Sequence, residues 1–93
     1  MKPNEIFKRR KELQWKMIED QAVLLDDAEG KVYRLDLTAS EIWSRLDGEH
    51  SLAEIIGKLT QIFEVSPAQA QKDTFAFMSR LTGLDLVQKV GSA

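Results

Sequence analysis

The chain has 93 residues, 43% of them hydrophobic and 30% charged, with a formal net charge of −2 at pH 7. That length holds one domain with a modest core and not two, and the composition is that of a folded soluble protein. The absence of cysteine excludes disulfides, thiolate metal sites and cysteine nucleophiles and fits a reducing cytoplasm, while the net charge gives no general attraction for nucleic acid.

Residues 1–13 contain Lys8-Arg9-Arg10-Lys11 and few apolar anchors, which predicts a flexible, solvated basic tail ahead of a folded domain over 14–90. The first residues lack an apolar segment of the export type, and no apolar run approaches the ~20 residues of a membrane span. From Trp15 the pattern changes. Trp15-Lys16-Met17-Ile18 and Ala22-Val23-Leu24-Leu25 are short apolar stretches closed by Asp26-Asp27-Ala28-Glu29-Gly30, as expected of strands joined by turns. Lys31 to Leu37 then alternates, with Tyr33, Leu35 and Leu37 on one face and Val32, Arg34 and Asp36 on the other. The expected product is a three-stranded antiparallel meander.

The second half reads as three helices. Thr38 and Glu41 have the spacing of a capping box, in which the hydroxyl accepts from the N–H of Glu41 and the carboxylate from that of Thr38. Asp47-Gly48 is expected to end this helix through a positive φ. Ser51 and Glu54 repeat the box before Leu52, Ile55, Ile56, Leu59, Ile62 and Phe63 at helical spacing. Ser66 and Gln69 precede the third helix, with Pro67 at its first position and Ala70, Thr74, Phe77, Met78, Leu81 and Leu84 on one stripe. Gly83 weakens or ends that helix, and Leu86-Val87 pack back on the core. Strands followed by helices give an α+β class, in which neither layer can bury its apolar face alone.

A search for reactive chemistry finds little. His50 is the only histidine and reads as a solvated loop residue, since no second histidine or cysteine could complete a metal site with it. Asp26, Asp27 and Glu29 lack calcium-loop spacing and read as turn residues. No phosphate-binding glycine loop or nucleophile elbow occurs, so a binding protein without a cofactor is expected, and not an enzyme. Trp43 and Phe77 read as core. Phe75 is well over 90° from the centre of the third helix's stripe, beside Gln71, Lys72, Ser79 and Thr82, and either lines a groove or is exposed without further cause.

The order and spacing of Val23-Leu24-Leu25, Tyr33-x-Leu35-x-x-Thr38-x-x-x-Ile42-Trp43-x-x-Leu46-Asp47-Gly48, Ser51-Leu52-x-Glu54-Ile55-x-x-x-Leu59 and Asp73-x-x-x-Phe77 carry a resemblance. Over roughly residues 15 to 88 the chain resembles the small PqqD-like peptide-binding domains, or RiPP recognition elements, of ribosomal peptide natural-product pathways, PQQ biosynthesis among them. It departs from them at Asp36, where asparagine is frequent, and in its basic amino-terminal extension. The resemblance implies a winged helix-turn-helix-like fold, with a three-stranded sheet against a three-helix bundle. It also implies a peptide chaperone: the leader segment of a precursor peptide adds as a strand beside the third strand, against the third helix. The implied site is Lys31, Val32, Tyr33, Arg34 and Leu35 facing Lys72, Phe75 and Ser79, with Phe75 as an apolar contact and Arg34 and Lys72 favouring acidic leader residues. A separate maturation enzyme, such as a radical SAM protein, would modify the peptide, and the chaperone is expected as a monomer or weak dimer. The alternative is a winged-helix nucleic-acid-binding protein relying on Lys8 to Lys11 and Lys16. Residues 67–82 weigh against it, because Lys72 and Arg80 are the only cations there to read a groove.

Overall fold

The computed structural model describes residues 1–93. Two small antiparallel sheets and three helices enclose one core. The chain order is β1 (Glu5–Arg9), β2 (Gln14–Ile18), β3 (Gln21–Asp26), β4 (Lys31–Arg34), α1 (Leu37–Ser44), β5 (Asp47–Ser51), α2 (Leu52–Ile62), α3 (Pro67–Gly83) and β6 (Val87–Ser92).

The expected meander is the sheet β2-β3-β4. Its register sets Trp15 opposite Leu24 and Leu24 opposite Tyr33, while Gln14, Leu25 and Val32 form the neighbouring row. Side chains alternate across a pleated strand, so the first row faces the helices and the second faces away. Leu24 is accordingly buried, whereas Leu25 and Val32 are exposed.

A second sheet, in the order β5-β1-β6, corrects the reading of residues 1–13 as a tail. Glu5–Arg9 is its central strand, paired antiparallel on both sides, and Phe7 and Leu13 are buried. Two cations of the basic run, Arg9 and Arg10, are committed internally. The Arg9 guanidinium lies 4.9 Å from the Trp15 ring and donates to the carbonyls of Trp43 and Ser44, which places a cation at the carboxyl end of α1. Burial pulls the pKa of Arg9 down, and the nearby Asp47 opposes that shift. Arg10 pairs with the buried Asp26 at 3.3 Å and donates to the carbonyl of Asp85. These contacts link the two sheets and withdraw two of the cations, Arg9 and Arg10, on which the nucleic-acid alternative relied, while Lys8, Lys11 and Lys16 stay exposed.

The helices follow the expected order with different ends. The capping box Ser51/Glu54 forms in full at α2, and Ser66 caps α3 by accepting from the N–H of Gln69. Thr38 does not cap α1. Asp36 does, its Oδ1 accepting from the N–H of Ala39 at 2.8 Å, while the Glu41 carboxylate pairs one turn onward with Arg45. A carboxylate two residues upstream is as good a cap as a hydroxyl, and it starts the helix at Leu37. Leu37 therefore leaves the alternating face and is exposed. The helix ends at Arg45, and Gly48, with φ of 84°, belongs to β5 instead of the helix stop. Asp47 Oδ1 accepts from the N–H groups of Glu49 and His50 at the start of β5, and His50 is a strand residue bonded to Asp47, not a loop residue. Ile62, expected inside, is exposed at the end of α2.

The core gathers Leu24, Leu35, Ile42, Trp43, Leu46, Leu52, Ile55, Leu59, Phe77, Met78, Leu81 and Leu86, with Phe7 and Val87 from the second sheet. Trp15 meets Trp43 edge to face, with centroids 6.1 Å apart, joining the meander to α1. No helix is long and apolar enough to cross a membrane.

Candidate peptide-binding groove

β4 is a border strand of the meander, so half of its backbone groups lack a strand partner. The register identifies which. The N–H of Leu35 donates to the carbonyl of Ala22, and main-chain groups alternate in direction along an antiparallel strand. Lys31, Tyr33 and Leu35 therefore turn their N–H and C=O groups toward β3, and Val32 and Arg34 turn theirs outward. An extended peptide alongside would meet these outward groups.

Beside that edge runs a groove between β4, α1 and α3. One end, about 380 Å³, is lined by Asp36, Thr38, Ala39 and Ile42 with Asp73, Ala76, Phe77 and Arg80. It continues past Tyr33, Leu35 and Phe77 to an end formed by Lys31, Tyr33, Ser79, Arg80, Gly83 and Leu84. The floor is apolar and firm, because Leu35 and Phe77 are buried and Tyr33 packs against the core. The rim is charged. Lys31, Arg34 and Arg80 take part in no ion pair. Asp36 is engaged as the α1 cap, and Asp73 accepts from the Gln69 amide.

Of the residues expected at the site, Lys31, Val32, Tyr33, Arg34 and Leu35 line the groove or its edge, and Ser79 joins them. Lys72 and Phe75 line none of its parts. At 100° per residue Phe75 is roughly 130° around the helix from the Asp73, Ala76 and Arg80 face. It is half-buried and packed against the core from the other flank of the apolar stripe. The residues that the expectation missed are Asp73, Ala76, Phe77, Arg80 and Leu84 from α3 and Asp36, Thr38 and Ala39 from α1. Spacing alone carries a signal for the first group, since Asp73, Ala76, Arg80 and Leu84 recur every three or four residues on one flank of the stripe.

No metal or nucleophile constellation accompanies the groove, and no cluster of three acidic or imidazole ligands occurs anywhere in the chain.

The comparisons with known proteins fall on the same region. In the solved structure described as TbiB1 in complex with the TbiA(beta) leader peptide, the matching chain is 26% identical and superposes with a TM-score of 0.79 over 87% of this chain and 94% of that one. A lasso peptide synthetase B1, complexed with the leader peptide, is 30% identical, with a TM-score of 0.78 over 88% of this chain and 96% of that one. No curated protein matches the sequence significantly. The profile of coenzyme PQQ synthesis protein D (PqqD) matches residues 21–87, from the start of β3 through the groove-forming α3 to the first residue of β6, and the chain belongs to the PqqD family.

Proposed function

We propose that this chain binds the leader segment of a ribosomally synthesised precursor peptide by strand addition to β4 and delivers it to a separate modifying enzyme, a radical SAM protein or another maturase. The observation that carries this reading is the open edge at Val32 and Arg34 directly beside an apolar-floored groove. Backbone pairing gives affinity without demanding much sequence, and alternate side chains of the added strand enter the groove to give selectivity. The two similar structures are leader-peptide complexes by their own descriptions, which supports the same class of ligand here. The chain would act by presentation alone, in the cytoplasm where ribosomal precursors are made, because its groove offers contacts and no reacting group.

A titration followed by amide resonances tests the reading, using synthetic leader segments from the short reading frames beside the gene. Binding is expected with a dissociation constant on the order of 1 μM, since a few backbone bonds and one or two apolar anchors must offset the ordering of the peptide. The shifts should concentrate on Val32, Arg34, Ala76, Arg80 and Leu84. Arg34→Pro removes one outward N–H and should weaken binding, with circular dichroism verifying the fold. Shifts confined to β2, the opposite border of the meander, would overturn the assignment.

A further inference from the structure

We infer that Arg80 is the residue that sets leader specificity, holding a carboxylate of the added strand in the half of the groove bordered by Lys31. This rests on the strand-addition reading above and adds to it the chemistry of the peptide and its placement.

Three of the five arginines are spent inside the fold. Arg9 is stacked on Trp15 and bonded to two carbonyls, Arg10 is paired with Asp26, and Arg45 with Glu41. Arg34 and Arg80 are left without a hydrogen-bond or ion-pair partner for their guanidinium groups, and only Arg80 borders the groove along its whole length. It lines the end with Asp36 and Ala76, the stretch over Leu35 and Phe77, and the end with Lys31 and Ser79. Its neighbours one turn away are Ala76 on one side and Gly83 and Leu84 on the other. The small residues among them leave room for the long, exposed side chain beside the groove, where it lines the same stretch as Phe77.

An exposed arginine is well hydrated until a strand is laid along β4. The peptide then displaces water from the guanidinium, and a charge losing solvent without gaining an acceptor opposes binding. A leader with a carboxylate at that point makes a charge-assisted, planar contact, whereas one with an apolar or basic residue there is rejected. The other charges give direction. Lys31 stands at the same end as Ser79 and Gly83, whereas Asp36 and Asp73 both line the opposite end. An acidic side chain is attracted to the first half and repelled from the second, so the carboxylate is positioned relative to the apolar residue that seats on Phe77.

The test uses a displayed library of random 15-residue peptides, selected separately on the unaltered chain and on Arg80→Glu. Binders of the unaltered chain are expected to carry Asp or Glu at a fixed offset from an apolar anchor. Binders of Arg80→Glu should carry Lys or Arg at that offset. For one selected peptide, Arg80→Gln should lower affinity about tenfold, and replacing the peptide carboxylate by its amide should lower it similarly in the unaltered chain but hardly further in Arg80→Gln. Peptides that shift Val32 and Arg34 without acidic enrichment, or that lose nothing in Arg80→Gln, overturn the role of Arg80 and leave strand addition standing. Selected peptides that bind without shifting Val32 and Arg34 overturn both.

Discussion

The hydroxyl of Ser40 accepts from the N–H of Ala22 at 2.7 Å and donates to the carbonyl of Leu35 at 3.3 Å, replacing one bond of the β3-β4 ladder with a side chain from α1. All three residues are buried, so neither backbone group can turn to water. This bridge ties the first turn of α1 to the last pairing of the border strand, beside the end of the groove that α1 lines.

Ser40→Ala should therefore cost about 2–4 kcal/mol, because it strands two buried backbone groups for the sake of one lost oxygen. Denaturant midpoints at constant slope measure it. A cost below about 0.5 kcal/mol would mean that the two strands close the gap by direct pairing.

Phe7→Ala should cost about 3–5 kcal/mol, the range for a large buried aromatic. Removing residues 1–10 should go further and abolish a single cooperative unfolding transition, since β5 and β6 both pair with the lost strand. A truncated chain that keeps a sharp thermal transition and its near-ultraviolet dichroism would return this segment to the status of a tail.

The cap of α1 gives a paired prediction: Asp36→Ala should cost about 1 kcal/mol, and Thr38→Ala close to nothing. Equal melting temperatures for the Asp36 variant and the parent would show that the helix starts elsewhere.

That reversal illustrates what was legible in the sequence. Local signals hold where nothing nearby competes, as at Ser51/Glu54 and in the alternation for Tyr33 and Leu35, though not for Leu37, which the helix start carries off that face. They failed at Thr38 because Asp36 competes for the same helix start. The second sheet was out of reach for a different reason. β5 is Asp-Gly-Glu-His-Ser, a sequence without strand propensity, and it is held as a strand by β1, roughly forty residues earlier in the chain. Beside the groove, the strand β4 is legible in its alternation, whereas the open edge of the sheet and the phase of α3 are not. The apolar stripe locates the core, but only the packed structure reveals which of its two flanks meets β4.

His50 offers a pH test. Its hydrogen bond to the Asp47 carboxylate, at 2.8 Å, holds its pKa above the ordinary 6.5. Burial alone would raise the Asp47 carboxyl, but hydrogen bonds from the His50 ring and from the N–H groups of Glu49 and His50 leave it lowered from the ordinary 3.8. The stabilisation from protonated His50 is complete below its unfolded value and is lost as pH rises through the raised one, while that from Asp47 is lost only in acid. The thermal midpoint should fall between pH 5.5 and pH 8, by a small amount since both groups are exposed. Most of that fall should vanish in His50→Gln; an unchanged fall would assign it to other groups.

Phe75 and Phe77 are two residues apart and should behave oppositely toward a leader peptide. Phe77 is buried and lines the groove, so Phe77→Ala should both destabilise the fold, by about 3–5 kcal/mol, and remove the apolar seat for the peptide. Phe77→Leu keeps most of the volume and is the better binding probe: it should retain the fold and weaken the leader by at least about 1 kcal/mol. Phe75 packs against the core from the far flank of α3. Phe75→Ala should lower the thermal midpoint modestly and leave the leader affinity within twofold of the parent, as a residue outside the interface does. Calorimetric titration of both variants with one leader peptide decides the matter. Loss of affinity in the Phe75 variant alone would mean that the peptide lies across the other flank of the helix, away from the border strand.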